Sequence, residues 1–176
     1  RGLGDVYKRQ GNNTVIAGDG NNSFKVGSDN NTITAGNGKN NIGISGCGNT
    51  LTSGNSSGTV NINGDNNNVT LLDGKKNIVI NGNSNTYTGG KDVDTIKISG
   101  DNNYAEGGGA DDKFTVVKGH NNTVDGNDGT QNTLKDYGVD TTYYNIMKIV
   151  SQPFELNIKV DIGSGDDTVS YTHLRA

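Results

Sequence analysis

The side chains able to do chemistry in this 176-residue chain are mostly carboxylates set in glycine-rich turns. Asp92 and Asp94 lie in GGKDVDTIK (residues 89–97), and Asp111 and Asp112 in GGGADDKFT (residues 107–115). Asp94 and Asp112 stand eighteen residues apart. Carboxylates supply charged oxygens, the donors that hard cations prefer. The equivalent positions in earlier repeats are Asn22, Asn40, Gly58 and Lys76. Asn offers only a neutral oxygen, Gly58 offers no side chain, and Lys76 would put an ammonium there. Nothing resembles a catalytic set. His120 is a lone turn residue, and Cys47, the single cysteine, is a free thiol far from it along the chain. One cysteine also excludes an internal disulfide framework. The chain is therefore expected not to be an enzyme.

What positions these residues is a repeat. Val15, Phe24, Ile33, Ile42, Leu51, Val60, Val69, Ile78, Tyr87, Ile96, Ala105 and Phe114 recur every nine residues, and Val124 follows after one extra. Two residues beyond each, two series alternate. Val26, Ile44, Ile62, Ile80, Ile98 and Val116 are large and β-branched; Ala17, Ala35, Ser53, Leu71, Gly89 and Gly107 are mostly small. The true period is thus eighteen: one coil holds two blocks, two short strands and two turns. Repetition this strict marks a solenoid whose coils bury their apolar faces only by stacking, so at least about three are needed. The expected fold is all-β, a parallel β-roll or β-solenoid over residues 11–134 with its coils about 4.8 Å apart. Helices are not expected, because Gly recurs every few residues and costs about 1 kcal/mol at each helical site.

The second block of each coil carries an Asn two residues before its inward apolar side chain: Asn13, Asn31, Asn49, Asn67, Asn85, Asn103 and Asn122. Stacked amides hydrogen-bond along such an axis, and Asn tolerates left-handed turns. The ladder is read as structural.

GGKDVDTIK and GGGADDKFT resemble the nonapeptide GGxGxDxUx of the RTX, haemolysin-type calcium-binding repeats, and GSGDDT (residues 163–168) matches it as well. The resemblance covers residues 11–134 in periodicity but only three blocks in full motif. It implies a right-handed parallel β-roll with Ca2+ between the turns of successive coils, held by Asp carboxylates and turn carbonyls. Carried onto this chain, the metal residues are Asp92, Asp94, Asp111 and Asp112 with Gly90 and Gly108, whose lack of a side chain lets the backbone approach closely. Asp167 holds the same motif position without a partner coil. The alternative is two solvated acidic turns.

A second surface is regular. Thr32 and Thr34, Thr50 and Thr52, and Thr86 and Thr88 flank inward residues, with Asn68 and Thr70 between them, and Tyr104 and Glu106 break the array. Such Thr-x-Thr rows resemble those of ice-binding solenoids, although Thr is also a good exposed strand former.

After Leu134 the period is lost. Tyr143–Val150 reads as one strand, Pro153 breaks it, and residues 154–162 alternate as a half-buried strand. Together they are expected to form a β-hairpin-like cap over residues 135–162, since an open edge would recruit other strands. Residues 163–168 would begin a further repeat. Residues 1–10 and 169–176 resemble the translation of a sequencing adapter read at both ends, and are set aside from fold reasoning. The remainder is then expected to be a metagenomic fragment. The net charge is −4. Without Arg1, Lys8, Arg9, Arg175 and Asp5 it becomes −7, from 11 Lys and Arg against 18 Asp and Glu. An acidic chain with few aromatics has no footprint for nucleic acid, and no apolar run reaches membrane-span length.

The expected function is a calcium-stabilised repeat segment of a secreted or cell-surface bacterial protein, adhesin- or toxin-like. The alternatives are an ice-binding or adhesion stalk that meets ice, carbohydrate or a cell surface through the Thr-x-Thr face, and the accessory module of an exported enzyme.

Overall fold

The computed structural model describes residues 6–8, 11–55 and 57–151. The chain is an all-β solenoid: each coil contributes one short strand to each of two parallel sheets. Among the described residues the first sheet has nine strands: Val6–Lys8, Ser23–Val26, Asn40–Ser45, Gly58–Asn63, Lys76–Asn81, Thr95–Ser99, Lys113–Lys118, Thr133–Asp136 and Lys148–Ser151. The second has eight among the same residues: Thr14–Ala17, Thr32–Ala35, Thr50–Ser53, Asn68–Leu71, Thr86–Thr88, Tyr104–Glu106, Thr123–Asp125 and Thr142–Tyr144. Successive strands in the chain alternate between the sheets, so every pairing joins neighbouring coils.

The register is the one the apolar period demands. Ile78 pairs with Ile96 and Ile80 with Ile98, while Leu51 pairs with Val69 and Ser53 with Leu71. Because strand side chains alternate between faces, each nine-residue block turns one or two apolar residues inward, and the two sheets enclose a single column of them. Ile44, Leu51, Ile62, Val69, Ile80, Tyr87, Ile96, Ile98 and Val116 are all fully shielded from solvent. Turns stack as well as strands: Gly48 N–H donates to Asp65 O at 3.0 Å and Asn66 N–H to Asn83 O at 3.0 Å. The left-handed position is the residue just before the Asn ladder, at Asn12, Asn30, Asn66, Ser84, Asn102 and Asn121, with φ between 54° and 58°. The ladder residues themselves are not left-handed.

The C-terminal part differs from the expectation. The solenoid does not stop at Leu134 under an antiparallel hairpin; it continues in parallel to Ser151. Tyr143–Val150 is split between the sheets: Val124 pairs with Tyr143 in one, and Leu134 pairs with Ile149 in the other. The period is hidden because turn lengths change while the rungs persist. A β-bulge between Ile98/Ser99 and the facing strand absorbs the extra residue at Val117. Phe114 then pairs with Leu134, twenty residues on. The second expected cap strand (154–162), the GSGDDT repeat with Asp167, and the adapter-like segment 169–176 lie outside the described residues. Within residues 1–10, Val6–Lys8 pairs in parallel with Phe24–Val26, as a free sheet edge accepts any strand through its backbone alone. Among the described residues no helix is long and apolar enough to cross a membrane.

Candidate metal centre

Inside each turn of the first sheet, the residue two before the inward apolar side chain projects into the coil. Asn22, Asn40, Lys76, Asp94, Asp112 and Asn132 occupy this column, each no more than 3 % exposed. An Asn here has two tasks. Its Oδ1 accepts from the preceding coil: Asn40 Oδ1 receives Asn22 N–H at 3.3 Å and Asn22 Nδ2 at 3.0 Å. Its Nδ2 also satisfies carbonyls of its own turn: Asn22 Nδ2 donates to Gly18 O and Gly20 O at 3.0 and 2.9 Å. Asn132 Nδ2 likewise reaches Gly126 O, Gly129 O and Asn145 O at 3.0, 3.0 and 3.1 Å.

Aspartate in this column performs the first task but not the second. Asp94 Oδ1 accepts Lys76 N–H at 2.8 Å, and Asp112 Oδ1 accepts Asp94 N–H at 2.7 Å. The other oxygen takes the place of the amide nitrogen and can donate only if protonated. For Asp94 the deficit is met across the core, where Tyr87 donates its hydroxyl to Oδ2 at 2.6 Å. Asp112 Oδ2 is buried with no hydrogen-bond partner. A Cβ on Gly107 would fall against that oxygen, and one on Gly108, at φ +99°, would strike Gly90 O. Only glycine at 107 lets this turn close on the Asp112 carboxylate, and only glycine at 108 lets it stack on the turn of Gly90.

The electrostatics follow. Burial pushes the Asp112 carboxyl up to about 7; Asp94 N–H opposes this, and the charges of Asp94 and Asp111 add to it. Burial also raises Asp94, against the stabilising bonds from Tyr87 and Lys76 N–H. Two carboxyls in adjacent coils are thus held where ionising both is costly unless a cation is shared.

Of the residues expected to ligate, Asp94 and Asp112 point inward, but the glycines against their Oδ2 atoms are Gly89 and Gly107, while Gly108 packs on the Gly90 backbone of the neighbouring coil. Asp92 and Asp111 lie on the outer side of the same turns, exposed. Asp92 Oδ2 accepts Gly74 N–H at 2.7 Å, and Asp111 Oδ1 accepts Thr130 and Gln131 N–H at 3.0 and 2.7 Å. Their charges bear on the inner pair, but their bonds hold coil to coil. Among the described residues no three His, Cys, Asp or Glu side chains gather at one point. A cation between Asp94 and Asp112 would therefore draw its remaining oxygens from turn carbonyls or water. That donor set is all oxygen and partly anionic, and suits calcium rather than a transition metal.

Lys76 sits where the ammonium was expected. It is 2 % exposed, and its Nζ donates to Leu72 O, Asp73 O and Gly74 O at 2.9, 2.9 and 2.8 Å. Burial lowers its pKa, and Asp94, Asp92 and Asp73 resist that.

Two participants escaped the sequence reading. The period counts Tyr87 as one more inward apolar residue, although a phenol in an aliphatic column signals a polar partner nearby. Asn132 lies twenty residues after Asp112, outside the eighteen-residue count, but it precedes inward Leu134 by two like every other ladder residue. The remaining reactive groups belong to an outer column of turn acceptors. Cys47 N–H donates to Asp29 Oδ1 at 2.7 Å, Cys47 Sγ accepts Asp65 N–H at 3.4 Å, and His120 N–H donates to Asp101 Oδ1 at 2.8 Å.

The Thr-x-Thr residues project outward as expected. Thr32 pairs with Thr50 and Thr34 with Thr52; Asn68 and Thr70 continue these rows to Thr86 and Thr88. Tyr104 and Glu106 follow in the same register. Compared with family models, curated proteins and solved structures, the chain matches none.

Proposed function

We propose that this chain is a non-catalytic, calcium-stabilised segment of a secreted or cell-surface protein, with Ca2+ held between the coils of Asp94 and Asp112. The observation that carries the reading is the partnerless, fully buried Asp112 Oδ2, in a column whose Asn and Lys members supply donors. Asp94 and Asp112 would hold the ion, with the backbone of the Gly90 and Gly108 turns alongside. Such an ion would supply positive charge to two carboxylates held in adjacent coils. This chain's residues prepare that place: Gly107 and Gly108 admit the close approach, Tyr87 fixes Asp94, and the outer Asp92 and Asp111 raise the local negative potential. The function is then mechanical, a stack of coils made rigid where calcium is plentiful, as it is outside cells.

The test is a melting curve and circular dichroism of the full chain in calcium and in EGTA. At a hundredfold excess over its dissociation constant, one site adds about 2.7 kcal/mol, or roughly 5–10 °C for a chain of this size. Terbium supplies a local readout, because the Tyr87 phenol touches Asp94 and would sensitise its luminescence. Tyr87→Phe should remove most of that signal while calcium still binds. An unchanged melt together with no sensitised emission would refute the reading.

The in-register threonines support a second reading, contact with ice or carbohydrate through the outer face of the second sheet. Thermal hysteresis in the wild type that is lost in Thr50→Leu/Thr86→Leu would establish it; no hysteresis in the wild type removes the ice form.

A further inference from the structure

The column inside the first-sheet turns changes its chemistry once along the axis, and Lys76 marks the change. N-terminal to it, Asn22 and Asn40 donate to their own turn carbonyls, Asn40 Nδ2 reaching Gly36 O at 2.9 Å. At Gly58 there is neither donor nor carboxylate, so no buried charge needs a counterion. Lys76 fills its turn with an ammonium held by three carbonyls, and its backbone N–H donates to the first aspartate of the column, Asp94. The next two members are Asp94 and Asp112, and the unpartnered Asp112 oxygen is fully buried within that pair. Asn132 then restores the amide. The opposite column is Asn throughout, from Asn31 to Asn122, and asks for no ion anywhere.

We propose that the turn Leu72–Gly74 is a cation site filled by the chain's own Lys76 ammonium, which divides the solenoid into a metal-independent section up to Asn81 and a metal-requiring section around Asp94 and Asp112. The ammonium gives the Leu72, Asp73 and Gly74 carbonyls what a calcium ion would give them, and it lies beside the Asp94 charge. The first section is thereby a permanent template on whose edge the acidic coils assemble when calcium arrives. Replacing Lys76 by Asp would lengthen the acidic column to three and open this turn to calcium; replacing it by Asn would continue the amide ladder. The inference rests on the calcium reading above, and its test separates the two.

Amide hydrogen exchange of the full wild-type chain in EGTA and in calcium is the first measurement. Strands between Thr14 and Asn81 should stay protected in both. Thr95–Ser99 and Lys113–Lys118 should lose protection in EGTA and regain up to about a hundredfold at calcium a hundredfold above its dissociation constant. No calcium effect on any strand would defeat the calcium reading itself. An equal effect on all coils, Thr14–Ala17 included, would leave that reading standing and overturn the division at Lys76. Equilibrium dialysis of Lys76→Asp should then show one more calcium per chain than wild type, with Lys76–Asn81 newly sensitive to EGTA, whereas Lys76→Asn should match wild type in both. A Lys76→Asp chain that folds and binds no additional calcium would overturn the proposal. Should that variant not fold, the wild-type exchange pattern decides alone.

Discussion

An oxygen stands at Asp112 where the next coil, at Asn132, has an amide nitrogen, and the proposed ion dependence would be concentrated in that exchange. Asp112→Asn should restore a donor to the turn. In EGTA the variant should be more stable than wild type by about 1–3 kcal/mol, the usual cost of a buried unsatisfied polar group, and its melt should respond less to calcium. The same carboxyl sets the pH dependence. Its folded value, about 7, lies above the ordinary carboxylate value of 3.8 that the unfolded chain has. The folded state therefore binds the proton more tightly. The resulting stability is complete below about pH 4 and is lost as pH rises through about 7. In EGTA the melting temperature should fall across that window. With calcium present the trend should flatten or reverse, because the ion binds the ionised form and competes with the proton. A metal-free melt that rises between pH 4 and 7 would contradict this account of Asp112.

At the scale of the element, the second-sheet Asn ladder carries the greatest number of buried polar bonds. Asn67 Oδ1 accepts both Asn49 N–H and Asn49 Nδ2, at 2.9 and 3.0 Å, and its own Nδ2 reaches Gly46 O and Asn85 Oδ1 at 3.0 Å each. Asn67→Ala leaves several of these groups unpaired in one step and should cost roughly 3 kcal/mol or more, measurable by denaturant melts. Thr52→Ala, on the exposed face one coil away, should change stability by less than about 0.5 kcal/mol. The strands, their register and both inward columns were legible in the sequence, because an eighteen-residue repeat leaves each rung the same neighbours above and below. Where the turns change length the repeat no longer marks the rungs. From Val116 onward the rungs are nineteen, twenty and fifteen residues apart, yet Val124, Leu134, Tyr143 and Ile149 keep their places in the sheets. Tyr143–Val150 looked like one strand because the intervening turn contains Ile146 and Met147 instead of Gly and Asp. Of the candidate site, the eighteen-residue spacing made legible that Asp94 and Asp112 lie in adjacent coils. The outward lie of Asp92 and Asp111 was not legible, since neighbouring turn residues point in directions that periodicity does not encode, and the Tyr87 hydroxyl crosses between sheets, which no one-dimensional pattern records.

At the scale of the whole molecule, charge is sorted by surface. Lys25, Lys97, Lys113, Lys135 and Lys148 line the exposed face of the first sheet, while most carboxylates sit in the turns. Among the described residues the only His, Lys or Arg side chain within 4 Å of a carboxylate is His120, whose Nδ1 lies 3.5 Å from Asp101 Oδ1 at the surface. Salt should therefore have little effect on the fold itself, since exposed pairs contribute little. Parallel pairing sets another property. Every backbone bond between coils points along the long axis, so tension applied along that axis loads the coils in series and opens one at a time, like a peeled strip. Each opened coil frees eighteen residues, about 55–60 Å of extended chain once the original rise is subtracted. In optical-trap pulling, such a tether would lengthen by near-uniform increments at modest force, with the steps bordering Asp94 and Asp112 delayed to higher force whenever calcium is added.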